Sequence, residues 1–272
     1  MDINLKQVIE QKSPGFFKVL PGVLGACVLR FLERVNHLRD VEDFFNRNSD
    51  KRDWEFIDAV LQYLDFRYIV SDADIQKIPA KGKLICVANH TLGALDGLSL
   101  LKIIGIVRKD VKIVVNDILR PLENMKSMLL FYDLYSDSMQ KTNILEIRSA
   151  LSEGNAVVFF PAGTVAKLTV SGVREAPWNN GPAAFAQKYG APVLPMYVHA
   201  RSSLLYYLVS FINPELASLF LSQAMFSNRS KSLHVKIGEV ITPEALERYG
   251  TDFADQTAFL KDHVMRMHKR TG

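Results

Sequence analysis

Beyond residue 83 the chain keeps returning to one texture, in which a short apolar run is followed by a longer stretch with helical spacing. Strand-like runs fall at Leu84–Ala88, 111–115, 156–160, 193–198 and 233–237. Helical segments lie between them at 95–106, 118–131, 142–152, 182–189 and 204–226. This alternation predicts an α/β fold with a mixed, largely parallel sheet flanked by helices. The preceding region has another character. Trp54, Ile57, Val60, Leu61 and Leu64 repeat at helical spacing, and 66–70 reads as a short edge strand. Pro79-Ala80-Lys81-Gly82 marks the change, dividing an N-terminal helical, membrane-associating region (1–79) from an α/β domain (80–272). The segment 252–268 reads as an amphipathic helix with a basic finish.

Hydrophobic residues make up 48% of the 272 positions and charged residues 23%, enough for a sizeable core. The net charge of +4 is spread along the chain. It favours anionic surfaces such as lipid headgroups but provides no footprint for nucleic acid. Cys27 and Cys86 form no CxxC pair; both read as core residues of a protein from a reducing compartment. The first dozen residues are polar, so no cleavable leader is expected. The most apolar N-terminal run, 19–29, has 11 residues between Lys18 and Arg30, with Pro21-Gly22 as a break. A bilayer span needs ~20 residues, so this run reads as a core or interfacial helix. Residues 16–32 and 204–212, continuing into 216–226, combine leucine and aromatics with flanking basic residues. They suit either core packing or peripheral attachment to a membrane.

Chemistry gathers at Asn89-His90-Thr91-Leu92-Gly93-Ala94-Leu95-Asp96, directly behind the run Leu84–Ala88. A buried strand here delivers a histidine into a loop, and a carboxylate follows as an apolar helix opens. The helix N-terminus favours ionised Asp96, by ~0.3–1 kcal/mol. Gly93 supplies the backbone freedom for the loop to fold back. His90 and Asp96 then form a base and an acid that holds its tautomer and supports its charged form. His37, His199, His234, His263 and His268 lack an acid at such spacing, and no metal-ligand pattern emerges.

These residues resemble the glycerolipid acyltransferase superfamily, the lysophosphatidic acid acyltransferase-like enzymes, whose first signature is Asn-His-x4-Asp. Five residues separate His90 from Asp96, one more than usual. The longer form, through Gly97, resembles a bacterial hemolysin-like branch that includes acyltransferases of ornithine- and glycine-type lipids, with Thr91 where proline is common. Phe159-Phe160-Pro161-Ala162-Gly163-Thr164-Val165-Ala166-Lys167 is similar to a second signature, Phe-Pro-Glu-Gly-Thr-Arg-Ser. Ala162 and Val165 replace its glutamate and arginine. An arginine fork suits phosphate, so its loss counts against lysophosphatidic acid as acceptor. Ala191-Pro192-Val193-Leu194-Pro195-Met196-Tyr197 resembles the family's last block. Two prolines sit poorly in a central ladder, so an edge or strand-opening position is expected. Residues 114–120, ending in Arg120, meet the remaining block loosely.

The resemblance implies a peripheral enzyme at the cytoplasmic face of a membrane. In it, His90 deprotonates a lyso-lipid hydroxyl that attacks an acyl thioester of acyl carrier protein or coenzyme A. The thioester is a co-substrate, and no bound cofactor or metal is implied. Asp96 is the orienting acid. Asn89, Gly93, Pro161, Gly163 and Thr164 belong to the motifs that bind substrate, with the Gly163-Thr164 amides as candidates for the oxyanion. Lys167 and Arg174 suit an anionic acceptor or the donor's phosphates, and equally suit solvated loops; Arg174 is the stronger candidate. Asn116 either orients the acceptor or is a turn residue, and Arg201 either lines a groove or is surface charge. The acceptor is a lyso-ornithine-type aminolipid or a lysophospholipid, with lysophosphatidic acid as the alternative. A thioesterase using the same pair, or a non-catalytic membrane-binding or lytic protein, are the competing classes.

Overall fold

The computed structural model describes residues 22–132, 137–214 and 216–270. Helices α1 (Gly22–Val35), α2 (Leu38–Arg47) and α3 (Asp53–Tyr63) lead to β1 (Arg67–Ile69) and a single turn, α4 (Asp72–Ile75). Then come β2 (Leu84–Ala88), α5 (Ala94–Val107), β3 (Val111–Asn116), β4 (Leu129–Tyr132), α6 (Asp137–Ser152) and β5 (Ala156–Phe159). A hairpin of β6 (Lys167–Thr169) and β7 (Gly172–Arg174) precedes α7 (Gly181–Tyr189) and β8 (Val193–His199). The remainder is α8 (Leu204–Ile212), α9 (Leu221–Phe226), β9 (Ser232–Ile237), α10 (Pro243–Glu247) and α11 (Phe253–Arg266). Residues 16–21 of the first apolar stretch lie outside the described residues.

Seven strands form one sheet in the order β1-β9-β8-β2-β5-β3-β4. All neighbours are parallel except β8 and β9. The expected edge strand is β1, beside β9. β2 occupies the centre, and every one of its residues is buried. Its side chains alternate as a pleat demands. Leu84, Cys86 and Ala88 face a core shared with α3 and α5, whereas Ile85 and Val87 face one built with α6, α7 and α11. Helix α5 comes very close to α3: a Cβ on Gly105 would sit 2.5 Å from the Trp54 ring, so any larger residue must displace that ring. At the amino edge, buried Arg108 grips Asp110 through two bonds (2.9 and 2.7 Å) and caps the carbonyls of Pro79, Gly82 and Gly154. The guanidinium holds the Asp110 carboxyl below its usual range.

Four expectations need correction. Residues 118–131 are not a helix but two 3-10 turns running into β4. Leu129 and Leu130 are buried between β3 and the helices, and their packing overrides local propensity. The stretch 204–226 is broken into α8, a 3-10 turn (Leu216–Phe220) and α9, with Pro214 at the break. Pro195 lies inside the sheet, opposite Val87 of β2. Its carbonyl accepts Gly238 N–H at 2.8 Å, and the reciprocal bond that its donorless nitrogen cannot make falls just past the end of β9. Cys27 is exposed rather than packed in a core.

Strands β2, β3, β5 and β8 run in parallel and therefore end at one edge. The helices following β2 and β5 lie on opposite faces of the sheet, α5 on one and α7 on the other. Such divergence opens a crevice at the strands' carboxyl ends, where α/β proteins bind their ligands.

Candidate active site

Where β2 leaves the ladder, the Asn89 side chain acts as an extra peptide. Its Oδ1 accepts Val198 N–H at 2.6 Å and its Nδ2 donates to Val198 C=O at 2.9 Å. Asn89 is buried, and its amide is consumed in stitching β2 to β8, which sets the exit of His90 from the sheet.

Gly93 then turns with φ 73 and ψ −125, a region closed to other residues. The reversal puts Asp96, in the first turn of α5, back beneath its own loop. The carboxylate is fully buried, and its Oδ2 accepts from Thr91 N–H (2.6 Å), Leu92 N–H (2.7 Å) and His90 Nδ1 (3.0 Å). Oδ1 accepts from the Thr91 hydroxyl at 3.2 Å. An acceptor at Nδ1 requires the proton to sit there, leaving Nε2 of a neutral imidazole with its lone pair available. The His90 side chain is 16% exposed, so its ring is within reach of solvent. Its ring stacks on Phe160, the residue just beyond β5, with centroids 4.0 Å apart and an 18° tilt.

The segment 160–175 closes over this pair. Gly163 N–H donates to the Phe160 carbonyl at 2.9 Å and completes a tight turn over Pro161, with Gly163 at φ 66. That amide is therefore engaged within the turn. The Pro161 carbonyl accepts both Asn179 N–H (2.9 Å) and Asn179 Nδ2 (2.6 Å), while Thr164 is exposed at the end of the turn. Lys167 and Arg174 sit directly opposite each other on the hairpin. Two like charges in register repel unless compensated. The next pair along the hairpin, Ala166 and Glu175, brackets His90: Ala166 N–H donates to His90 C=O at 2.8 Å, and His90 N–H donates to the Glu175 carboxylate.

Asn116 ends β3 at the same carboxyl edge but two strands from β2. Arg120 is paired with Asp117 at 3.0 Å and lies over the Phe131 ring, away from His90. Arg201 is exposed behind β8. No metal-holding cluster of histidine, cysteine, aspartate or glutamate occurs among the described residues.

Three contributions escaped the sequence reading. Glu175 is the first; its other oxygen accepts Trp178 Nε1–H at 2.9 Å. Burial pushes its carboxyl up, opposed by the bonds from the His90 amide and the Trp178 indole. The run Arg174-Glu175-Ala176-Pro177-Trp178 carried the signal, an acid beside the cation already singled out. The Phe160 stack is the second. Helix α8 is the third: Tyr206 O–H donates to Val165 C=O at 3.3 Å, and Ser210 Oγ accepts Leu168 N–H at 3.0 Å, roofing the turn and hairpin.

Comparison with known proteins shows the family. The Acyltransferase family matches residues 7–270, nearly the whole chain. The chain belongs to the acyltransferase family. Over 272 residues this acyltransferase is 24% identical to the lyso-glycine lipid O-acyltransferase of Bacteroides thetaiotaomicron, covering 97% of each chain. It is 23% identical to the enzyme of the same name from Phocaeicola vulgatus, covering 97% of this chain and 95% of that one. Among solved structures, it resembles the 1-acyl-sn-glycerophosphate (LPA) acyltransferase PlsC from Thermotoga maritima, with a TM-score of 0.52 at 15% identity. That match spans 88% of this chain and 94% of PlsC, a likeness of fold.

Proposed function

We propose that this acyltransferase moves a fatty acyl group from an acyl thioester to the hydroxyl of a lyso-aminolipid, with His90 as general base. The observation that carries the reading is the His90–Asp96 pair, with Nδ1 held by a buried carboxylate and the ring still partly exposed. Nε2 takes the hydroxyl proton as the oxygen attacks the thioester carbon. The C–S bond then breaks, and the imidazolium returns the proton to the departing thiolate of coenzyme A or acyl carrier protein. Asp96 stabilises the imidazolium between these steps. A positioned base supplies ~10²–10⁴-fold, and alignment and oxyanion stabilisation supply the remainder. The reading requires no bound cofactor or metal.

Two relatives named for lyso-glycine lipid support an acceptor whose headgroup carries an amino-acid carboxylate. The Lys167–Arg174 pair suits that anion, and Ala162 and Val165 stand where phosphate-recognising members carry glutamate and arginine. The enzyme works at the cytoplasmic face of a membrane as a peripheral protein. No helix among the described residues is long and apolar enough to cross a bilayer. Yet α8 has no charged residue and turns Leu204, Leu208, Phe211 and Ile212 outward in a single stripe, with Val170 of the hairpin exposed beside it. Such a stripe suits partial immersion at the headgroup boundary.

The deciding test supplies purified enzyme with equal lyso-glycine lipid and lysophosphatidic acid plus one acyl thioester, with products resolved by mass spectrometry. Preferential acylation of the aminolipid is expected. A strong preference for lysophosphatidic acid rejects the acceptor, and free fatty acid without acylated lipid rejects acyl transfer to a lipid.

A further inference from the structure

The β6–β7 hairpin meets the catalytic loop through the backbone of His90 rather than its ring. Ala166 N–H donates to His90 C=O at 2.8 Å, and the Glu175 carboxylate accepts His90 N–H. The second Glu175 oxygen is held at 2.9 Å by Trp178 Nε1, and Trp178 is buried in the core cluster that also holds Ile85 and Val87 of the central sheet. Next in the chain, the Ala176 carbonyl accepts Lys261 Nζ of α11 at 3.1 Å. The peptide that carries the base is therefore gripped from the hairpin side by a carboxylate with its own anchor in the core. Asp96 and Phe160 hold the ring, but neither holds the backbone of residue 90.

This clamp has a physical reason. The ladder of β2 ends at Ala88, so His90 N–H has no strand partner, and a buried amide needs one. A neutral acceptor would satisfy it. A carboxylate binds more strongly, although burying one here pushes its proton affinity up. Local fold needs only the first; a costlier group is explained by what it does to the residue it holds. We infer that Glu175 is a positioning residue for acyl transfer: it fixes the His90 main chain against the hairpin bearing Lys167 and Arg174, so that Nε2 and the headgroup cations keep one spacing. The bound acceptor then presents its hydroxyl to Nε2 without search.

Because the inference rests on His90 as base, the His90→Ala variant is measured alongside. Steady-state turnover with a soluble acyl thioester and short-chain acceptor is compared for Glu175→Ala, Glu175→Gln and Trp178→Phe, with thermal melts of each. Misplacing a reacting group costs up to ~10²-fold. Glu175→Ala should lower kcat about 10- to 100-fold while KM for the thioester stays within about twofold. Glu175→Gln keeps an acceptor for His90 N–H, and Trp178→Phe keeps the carboxylate but frees one end. Each should lose only about 3- to 10-fold, with melting close to the parent. The downfield proton resonance of His90 Nδ1–H should broaden in Glu175→Ala and persist in Glu175→Gln. If Glu175→Ala does not fold, the other two variants decide, and parent kcat in both overturns the inference. It is also overturned by parent-like kcat in Glu175→Ala, by a loss carried in KM, or by equal losses in Ala and Gln. An active His90→Ala refutes the catalytic reading itself. An inactive His90→Ala beside a fully active Glu175→Ala refutes only the role of Glu175.

Discussion

Replacing Asp96 by asparagine separates two jobs that this carboxylate performs. Its Oδ2 faces three donors, two of them backbone amides at 2.6 and 2.7 Å that cannot rotate away. An asparagine –NH2 there would confront all three, so the amide oxygen is forced into that position. The –NH2 then falls at Oδ1, beside the Thr91 hydroxyl at 3.2 Å, which can turn from donor to acceptor. All four hydrogen bonds survive in Asp96→Asn, and with them the Nδ1–H tautomer. Only the charge is lost. At a separation of ~4 Å and an effective dielectric of ~20, the carboxylate attracts the imidazolium by ~4 kcal/mol. With ~1.4 kcal/mol per factor of ten, kcat should fall by ~10²–10³. Asp96→Ala adds a structural penalty: two buried amides lose their acceptor at ~1–3 kcal/mol each. Initial rates of thiol release under saturating acceptor give kcat, and thermal melting gives stability. Parent turnover in Asp96→Asn refutes the reasoning, as does melting as low as that of the alanine variant.

Three further outcomes follow from the same geometry. Lys167→Ala and Arg174→Ala should each raise KM for a carboxylate-bearing acceptor about tenfold with kcat within about threefold, because a charge-assisted contact to the headgroup is removed; unchanged KM in both contradicts the anion site. Leu208→Asp with Phe211→Asp should abolish sedimentation with anionic vesicles yet leave turnover of a short-chain, water-soluble acceptor intact; parent-level sedimentation contradicts docking through α8. Burial pushes the Cys86 thiol up to about 12, whereas Cys27 is exposed. At pH 8 an alkylating reagent should therefore label Cys27 alone in folded protein and both thiols in denaturant, and native labelling of Cys86 contradicts its burial.

The fold was legible where burial leaves an unbroken mark. Leu84–Ala88 lies inside the sheet on both faces and carries no polar residue, so its bounds coincide with the predicted run. The site was legible where a local loop builds it. His90 and Asp96 meet through one turn at Gly93, and the seven residues from 90 to 96 carry the whole pair. Partnerships across the chain left weaker traces. Glu175 lies 85 positions from His90, and only the topology that returns β7 to the end of β2 unites them. Asn89 belongs to the signature, yet its amide serves Val198, 109 positions away. Strand β4 was hidden because Leu129–Tyr132 is too short to show a period of two against helical neighbours. The family signature located His90; the hairpin that holds its backbone became visible only in three dimensions.

In the proposed mechanism, Nε2 of His90 removes the acceptor proton. The most direct measurement of that step is single-turnover acyl transfer by the His90→Ala variant, folded as judged by melting, with lyso-glycine lipid and an acyl thioester followed by mass spectrometry. No acylated lipid above the uncatalysed background is expected. Product formation at near the parent rate would contradict it.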